Sequence, residues 1–288
     1  MNLETFQRQT TEALTAIYGR EEASSLCKVM ITEVLGYKPF EMSLRRSEVL
    51  ESEDLLCLQQ VVERLLAHEP LQYILGRAWF GGMHLQVNKH TLIPRQETEE
   101  LVAWITGDGV VPGAAILDIG TGSGCIAIAL AKAFEKVNID AVDVSTEALK
   151  VARENAREQG AEVRFLQKDI LEVASLADLR DREDDPSYEV IVSNPPYVRN
   201  LEKEEIAPHV LDHEPGSALF VSDDDPLIFY RKIASLAYAN LLKGGRLYFE
   251  INQYLGPETE ALLRETGFTE VELRKDLLGN FRMIKAVK

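Results

Sequence analysis

The sequence predicts an α/β protein: a mostly parallel sheet covered by helices on both faces, with a small all-helical domain ahead of it. Three observations predict it. From Ala114 onward, short apolar runs alternate with helical stretches. The glycine-rich run Asp118-Ile119-Gly120-Thr121-Gly122-Ser123-Gly124 sits between the first such apolar run and the first such helix. Residues 1–70, in contrast, carry helical periodicity alone. Strands separated by helices imply right-handed crossovers and a sheet buried on both faces.

In residues 1–70, Leu3, Phe6, Leu14, Ile17 and Tyr18 recur at near-helical spacing, as do Leu55, Leu58, Val62 and Leu65. Ser52 before Glu53 and Asp54 reads as an N-cap followed by an acidic first turn. Residues 71–94 read as a β-hairpin connector: Gly76, Gly81 and Gly82 punctuate apolar residues, and Met83, Leu85 and Val87 alternate. Glu97 to Ile105 forms a helix leading into the second domain, residues 95–288. There Ala115–Leu117 is a strand, Cys125–Phe134 a helix and Asn138–Val142 the second strand. Ser145 caps a helix that ends at Gly160, a residue suited to the left-handed C′ position. Val163–Leu166 and Val190–Val192 follow as strands. Asp225-Pro226 opens a helix that Gly244-Gly245 closes, and Arg246–Ile251 is the next strand. Val271–Leu273 and Met283–Ile284 alternate as a closing antiparallel pair.

Composition narrows the function classes. The 288 residues carry a formal net charge of −16, and the densest charge run, Asp181-Arg182-Glu183-Asp184-Asp185, is mostly acidic and reads as a solvated loop. A protein that grips a phosphate backbone needs a basic face, so direct nucleic-acid binding is not expected. No apolar stretch approaches the ~18 residues of a membrane span, and the first residues lack the basic and apolar regions of a secretory signal. Cys27, Cys57 and Cys125 show no paired spacing, which fits a reducing compartment. These features point to a cytoplasmic enzyme.

The glycine run ends a strand and opens a helix, where positive φ and a helix N-terminus let backbone approach a ligand closely. Dinucleotide folds use G-x-G-x-x-G, whereas here the third glycine comes one residue early. The spacing fits S-adenosylmethionine, which has no pyrophosphate but carries an amino acid, a sulfonium and an adenosine. Gly120, Thr121, Gly122, Ser123 and Gly124 would lie against it, with Asp118 on the ammonium side. Asp143 follows Gly120 by 23 residues, near the ~20-residue offset at which a carboxylate meets ribose hydroxyls. Asp169, followed by Ile170, is placed to accept from the adenine amino group.

Asn194-Pro195-Pro196-Tyr197 follows the fourth strand and is the most specific short motif in the chain. An amide nitrogen or an exocyclic amine is a poor nucleophile because its lone pair is delocalised. Acceptors facing both N–H groups would position that nitrogen and favour the positive charge it gains during attack. Asn194 offers a side-chain oxygen, next to the cofactor as well as the acceptor, and Pro195 a main-chain carbonyl on a chain of fixed φ. Tyr197 would lie against the planar acceptor near the sulfonium. Placement and charge stabilisation suffice, since the methylated nitrogen loses its proton after transfer. A metal site at His209 and His213, and a nucleophilic Cys125, are weaker readings that this chemistry does not need.

With these residues assembled, the chain resembles the release factor glutamine N5-methyltransferases, the HemK or PrmC type. Glu69-Pro70-Leu71-Gln72-Tyr73-Ile74-Leu75-Gly76 and Phe80-Gly81-Gly82 resemble the family's connector, and Leu92-Ile93-Pro94-Arg95-Gln96-Glu97-Thr98-Glu99 its signature. Glu214-Pro215, Ala218-Leu219 and Phe249-Glu250-Ile251 also resemble family segments. Two positions depart: Gln96 stands where proline is usual, and Asn252 where glycine is usual. The resemblance implies the class I S-adenosylmethionine-dependent methyltransferase fold, Rossmann-like with a mostly parallel seven-stranded sheet. It implies no metal. As substrate it implies the glutamine of the Gly-Gly-Gln loop in peptide chain release factors, with the N-terminal helical domain gripping that partner. The competing readings are an adenine-N6 nucleic acid methyltransferase and a non-catalytic cofactor-binding interaction protein.

Overall fold

The computed structural model describes residues 1–38, 40–179 and 187–288. The acidic run at 181–185 lies outside them. The chain forms two compact units, one of Met1–Gly76 with Ala207–His213, the other of Arg77–Ile206 with Glu214–Lys288.

The first unit is helical: α1 (Leu3–Tyr18), α2 (Arg20–Leu35), α3 (Glu41–Leu44), α4 (Ser52–Leu66) and α5 (Leu71–Leu75). Asn2 starts α1 by accepting from Thr5 N at 2.9 Å. Leu3, Phe6 and Leu14 pack with Cys27, Met30 and Ile31 of α2 and with Leu58 and Leu65 of α4. Tyr18, Leu55 and Val62 border this core, as their helical spacing predicts. Ser52 does not cap α4. It is the first helical residue, the cap position falls on Glu51, and no side chain bonds the free N–H groups there. Glu53 and Asp54 supply the favourable charge in the first turn instead.

The second unit opens with the hairpin β1 (Arg77–Phe80) and β2 (Met83–Gln86). Gly81 and Gly82 both have positive φ (+53° and +82°), as a two-residue turn of matching twist requires. Next come α6 (Gln96–Asp108), β3 (Ala115–Ile119), α7 (Cys125–Ala133), β4 (Asn138–Asp143), α8 (Thr146–Gln159), β5 (Arg164–Gln167) and β6 (Tyr188–Ser193). After the short β7 (Val198–Arg199) and α9 (Pro208–Leu211, within the helical unit), α10 (Gly216–Leu219) leads to β8 (Phe220–Val221). The chain ends with α11 (Ile228–Asn240), β9 (Leu241–Glu250), α12 (Gly256–Thr266), β10 (Thr269–Lys275) and β11 (Phe281–Val287).

Seven strands form one sheet in the order β10-β11-β9-β6-β3-β4-β5. The pairs among β9, β6, β3, β4 and β5 are parallel, and β11 joins antiparallel to both β9 and β10. Alternation in β3 divides the core: Leu117 and Ile119 face α11, while Ile116 faces α7 and α8. From β3 the chain winds outward to β4 and β5, then crosses back to β6. The strand order therefore reverses beside β3, and ligand crevices form at the carboxyl ends of such strands.

Two predicted boundaries of one helix shift. Asp225-Pro226 forms a turn before α11, which starts at Ile228, and Gly244-Gly245 lies inside β9 rather than closing the helix. The helix stops at Asn240 because Leu241 turns extended and pairs with Tyr188. The ladder then shifts register between Tyr188 and Val190. A Cβ on Gly245 would meet the Leu242 carbonyl oxygen at 2.8 Å, so glycine serves an irregular strand here, a role that resembles a helix stop in sequence.

Candidate active site

At the end of β3 the chain turns through Gly120 (φ +77°) and Gly122 (φ +54°) into α7. Gly120 and Thr121 donate their N–H groups to the Val142 carbonyl at 2.8 and 3.0 Å, which folds the loop over the end of β4. Asp143 fixes it from the side. One carboxylate oxygen accepts Gly122 N–H at 2.8 Å and the other Ser145 N–H, also at 2.8 Å. Burial raises this carboxyl, against the three backbone N–H groups that favour its charge. Ser145, as predicted, caps α8 by accepting from Ala148 N.

Asp118 lies wholly beneath the loop. Thr121 Oγ1 donates to its Oδ2 at 2.6 Å, while Oδ1 has no partner among the described residues. Burial, with Asp143 adding to it, lifts this carboxyl to about 7. Ser123 Oγ is a second buried polar atom there without a hydrogen-bond partner among the described residues. Two unsatisfied oxygens beneath one loop suit a ligand that brings donors, which an ammonium does.

One cavity opens over these strand ends, about 1260 Å³ with its mouth included. Gly120, Thr121, Gly122 and Ser123 line it from the loop, and Asp143, Asp169 and Ile170 from the two following strand ends. Asn194, Pro195 and Pro196 close it from beyond β6. Ser193 Oγ donates to the Ile119 carbonyl at 2.7 Å and so ties the two loops at their roots. A Cβ on Gly120 would lie 3.8 Å from the Asn194 carbonyl oxygen, so the first residues of the two loops run close together. Asp169 holds its own turn by accepting Leu171 N–H at 2.9 Å.

Three expected site residues stand back from the cavity wall. Gly124 faces α8: a Cβ there would meet Ile128 and Ala152 at 3.0 and 3.2 Å, so this glycine serves helix approach. Asp118 acts only from below. Tyr197 does not stack over the cavity, because its hydroxyl is committed to Glu250 Oε1 at 3.0 Å and its ring packs toward the core. Burial raises this phenol, with the Glu250 charge adding to the rise.

Glu250, the last residue of β9, takes a second hydroxyl: Thr98 Oγ1 donates to its Oε2 at 2.6 Å. Thr98 Oγ1 also accepts from Asn194 Nδ2 at 3.4 Å. Burial raises the Glu250 carboxyl, opposed by these hydroxyls and by the charge of Arg282. Arg95 and Lys168 add cationic groups to the cavity wall, and Arg95 is held at 2.6 Å by the buried carboxylate of Glu214. The sequence places Arg95, Thr98, Glu214 and Glu250 in resembled segments, but nothing local to them signals a role. Burial holds the Cys125 thiol up at about 12, so it stays protonated. Among the described residues no group of three or more His, Cys, Asp or Glu is arranged to hold a metal, and no helix is long and apolar enough to cross a membrane.

The model of the PrmC N-terminal domain matches residues 6–76, and that of the methyltransferase small domain residues 99–219. A release factor glutamine methyltransferase from Flavobacterium psychrophilum is 44% identical, covering 99% of each chain. Proteins of that description from Bacteroides thetaiotaomicron (41%; 96% of each chain) and Streptococcus pneumoniae (39%; 92% of this chain, 91% of the other) are also similar. Among solved structures, a Thermus thermophilus 16S rRNA guanine methyltransferase in complex with AdoMet and guanosine superposes with a TM-score of 0.51 at 17% identity. It covers 74% of this chain and 49% of its own, and it shares the fold.

Proposed function

The chain belongs to the release factor glutamine methyltransferase family, and on that premise we propose that it methylates the side-chain amide nitrogen (N5) of the glutamine in the Gly-Gly-Gln loop of peptide chain release factors. It is an enzyme with the class I methyltransferase fold. S-adenosylmethionine, when bound, supplies a methyl group on a sulfonium that a nitrogen can displace.

One observation carries the reading: the glycine loop and the Asn-Pro-Pro loop wall a single cavity, and the Ser193 hydroxyl ties the strand ends they grow from at 2.7 Å. Ser123 receives a donor of the amino acid moiety, with the Asp118 carboxylate supplying charge from beneath the loop, Asp143 receives the ribose hydroxyls, and Asp169 with Ile170 the adenine. Asn194 Oδ1 and the Pro195 carbonyl accept from the substrate amide, hold its nitrogen in line with the methyl and stabilise the charge it gains. Pro196 stiffens the loop, and Tyr197 anchors it from behind. No residue needs to act as a strong base.

Residues 1–70 recognise the release factor and 95–288 catalyse; of the expected connector at 71–94, Leu71–Leu75 forms helix α5 of the helical unit and the β1–β2 hairpin belongs to the catalytic unit. The net charge of −16 supports a protein substrate over a nucleic acid. The test is transfer of labelled methyl to purified release factor and, separately, to DNA, with the modified residue mapped by mass spectrometry. Label on the loop glutamine is expected. Label on adenine alone would overturn the reading.

A further inference from the structure

We propose that Thr98 and Glu250 are positioning residues that decide which end of the Asn194 amide faces the cavity. The inference rests on the proposed role of Asn194, whose two amide ends are nearly equal in shape. Only hydrogen-bond partners choose between oxygen and NH₂. An amide turned the wrong way would aim N–H at the substrate's N–H and lose the acceptor on which the chemistry depends.

The choice is made by counting protons. Held ionised against burial by the two hydroxyls and the charge of Arg282, the Glu250 carboxylate has no donor of its own. It takes the Thr98 hydroxyl at 2.6 Å on one oxygen and the Tyr197 hydroxyl at 3.0 Å on the other. A hydroxyl carries one proton, and that of Thr98 is committed to Glu250. Toward Asn194 the Thr98 oxygen can therefore only accept, which selects the NH₂ end of the amide, found at 3.4 Å. Oδ1 is left for the cavity. Thr98 and Glu250 are both buried (2% and 1% exposed), so water does not compete for the bond between them. The same carboxylate also grips Tyr197, so one group fixes the first and last residues of the Asn-Pro-Pro-Tyr loop.

The experiment compares Thr98→Val, Thr98→Ser and Asn194→Ala by steady-state methylation of a release factor. Valine keeps the shape of threonine and removes the hydroxyl; serine keeps the hydroxyl. For Thr98→Val, kcat is expected to fall roughly five- to tenfold, about what one net hydrogen bond is worth, with KM for the release factor unchanged. Thr98→Ser should restore most of it. A Thr98→Val kcat within twofold of wild type, or no rescue by serine, would overturn the inference. If that happens while Asn194→Ala is inactive, the role of Asn194 stands without it; an active Asn194→Ala would remove that role itself. Glu250→Gln is the second variant, should Thr98→Val not fold. Glutamine can donate as well as accept, so a several-fold loss of kcat at unchanged KM is expected, and wild-type kcat would overturn the inference.

Discussion

Asn252 donates its side-chain amide to the main-chain carbonyl of Tyr197 at 2.9 Å. The same nitrogen donates to Glu202 Oε2 at 2.8 Å, and Asn252 Oδ1 accepts Tyr254 N–H at 2.9 Å. The residue that stands where the resemblance leads one to expect glycine is thus a clasp behind the Asn-Pro-Pro-Tyr loop. A glycine would make none of these bonds and would leave the buried Glu202 short of a donor. Asn252→Gly should lower stability by about 1–3 kcal/mol, read as a lower urea midpoint. An unchanged midpoint would show that the clasp is energetically idle.

Asn194→Ala should reduce kcat by roughly 10²–10³, the range found when one preorganised oxyanion-hole donor is removed, while cofactor affinity is largely kept. Asn194→Asp is the subtler case. It keeps an acceptor, but the one Thr98 proton must then serve two carboxylates, Glu250 and the new one. Its kcat should fall between wild type and alanine. Equal activity of all three proteins would mean that Asn194 does not position the acceptor nitrogen.

Asp118 gives a pH dependence of definite sign. Its folded value, about 7, lies above the ordinary 3.8, so its contribution to the stability of the free protein is full below the ordinary value and lost as pH rises through about 7. Cofactor binding runs the other way, because an ammonium favours the ionised carboxylate. Affinity measured by calorimetry should therefore rise with pH through about 7 and then level. Asp118→Asn should bind weakly with that rise absent; a variant that keeps the rise would place its origin elsewhere.

Asp143→Ala should weaken cofactor binding by on the order of 1.5–3 kcal/mol, the worth of a hydrogen bond to a charged group. Part of the loss comes through the loop, since Asp143 also holds Gly122 and Ser145. Asp143→Asn should do little better: both oxygens face N–H donors, and an amide can oppose only one of them. Calorimetry that finds wild-type affinity for either variant would exclude the ribose role.

A chain beginning at Arg77 should keep cofactor binding but methylate intact release factor with much lower kcat/KM. Among the described residues, none of those it loses, Met1–Gly76, lines the cavity, although Ala207–His213 of the same unit stays behind. Full kcat/KM on the intact protein would remove the recognition role of residues 1–70.

The sequence by itself determined the alternation of strand and helix, the glycine loop, the Asn-Pro-Pro turn and the helical character of the first 70 residues. Each is written in neighbouring residues: side-chain periodicity, a glycine where φ is positive, a proline where φ is fixed. The caps show how far that reaches. Ser145 and Gly160 stand where the local pattern puts them, whereas Ser52 and Gly244-Gly245 do not. Only the tertiary structure decided that Tyr197 turns from the cavity to Glu250, that Gly124 serves α8, and that Thr98 sets the Asn194 amide. Thr98 and Glu250 are 152 residues apart in the chain, and Asn194 and Thr98 are 96 apart. Their meeting follows from which strand ends the crossovers bring together, and hydrogen-bond partners chosen at that range leave no period or spacing in the sequence.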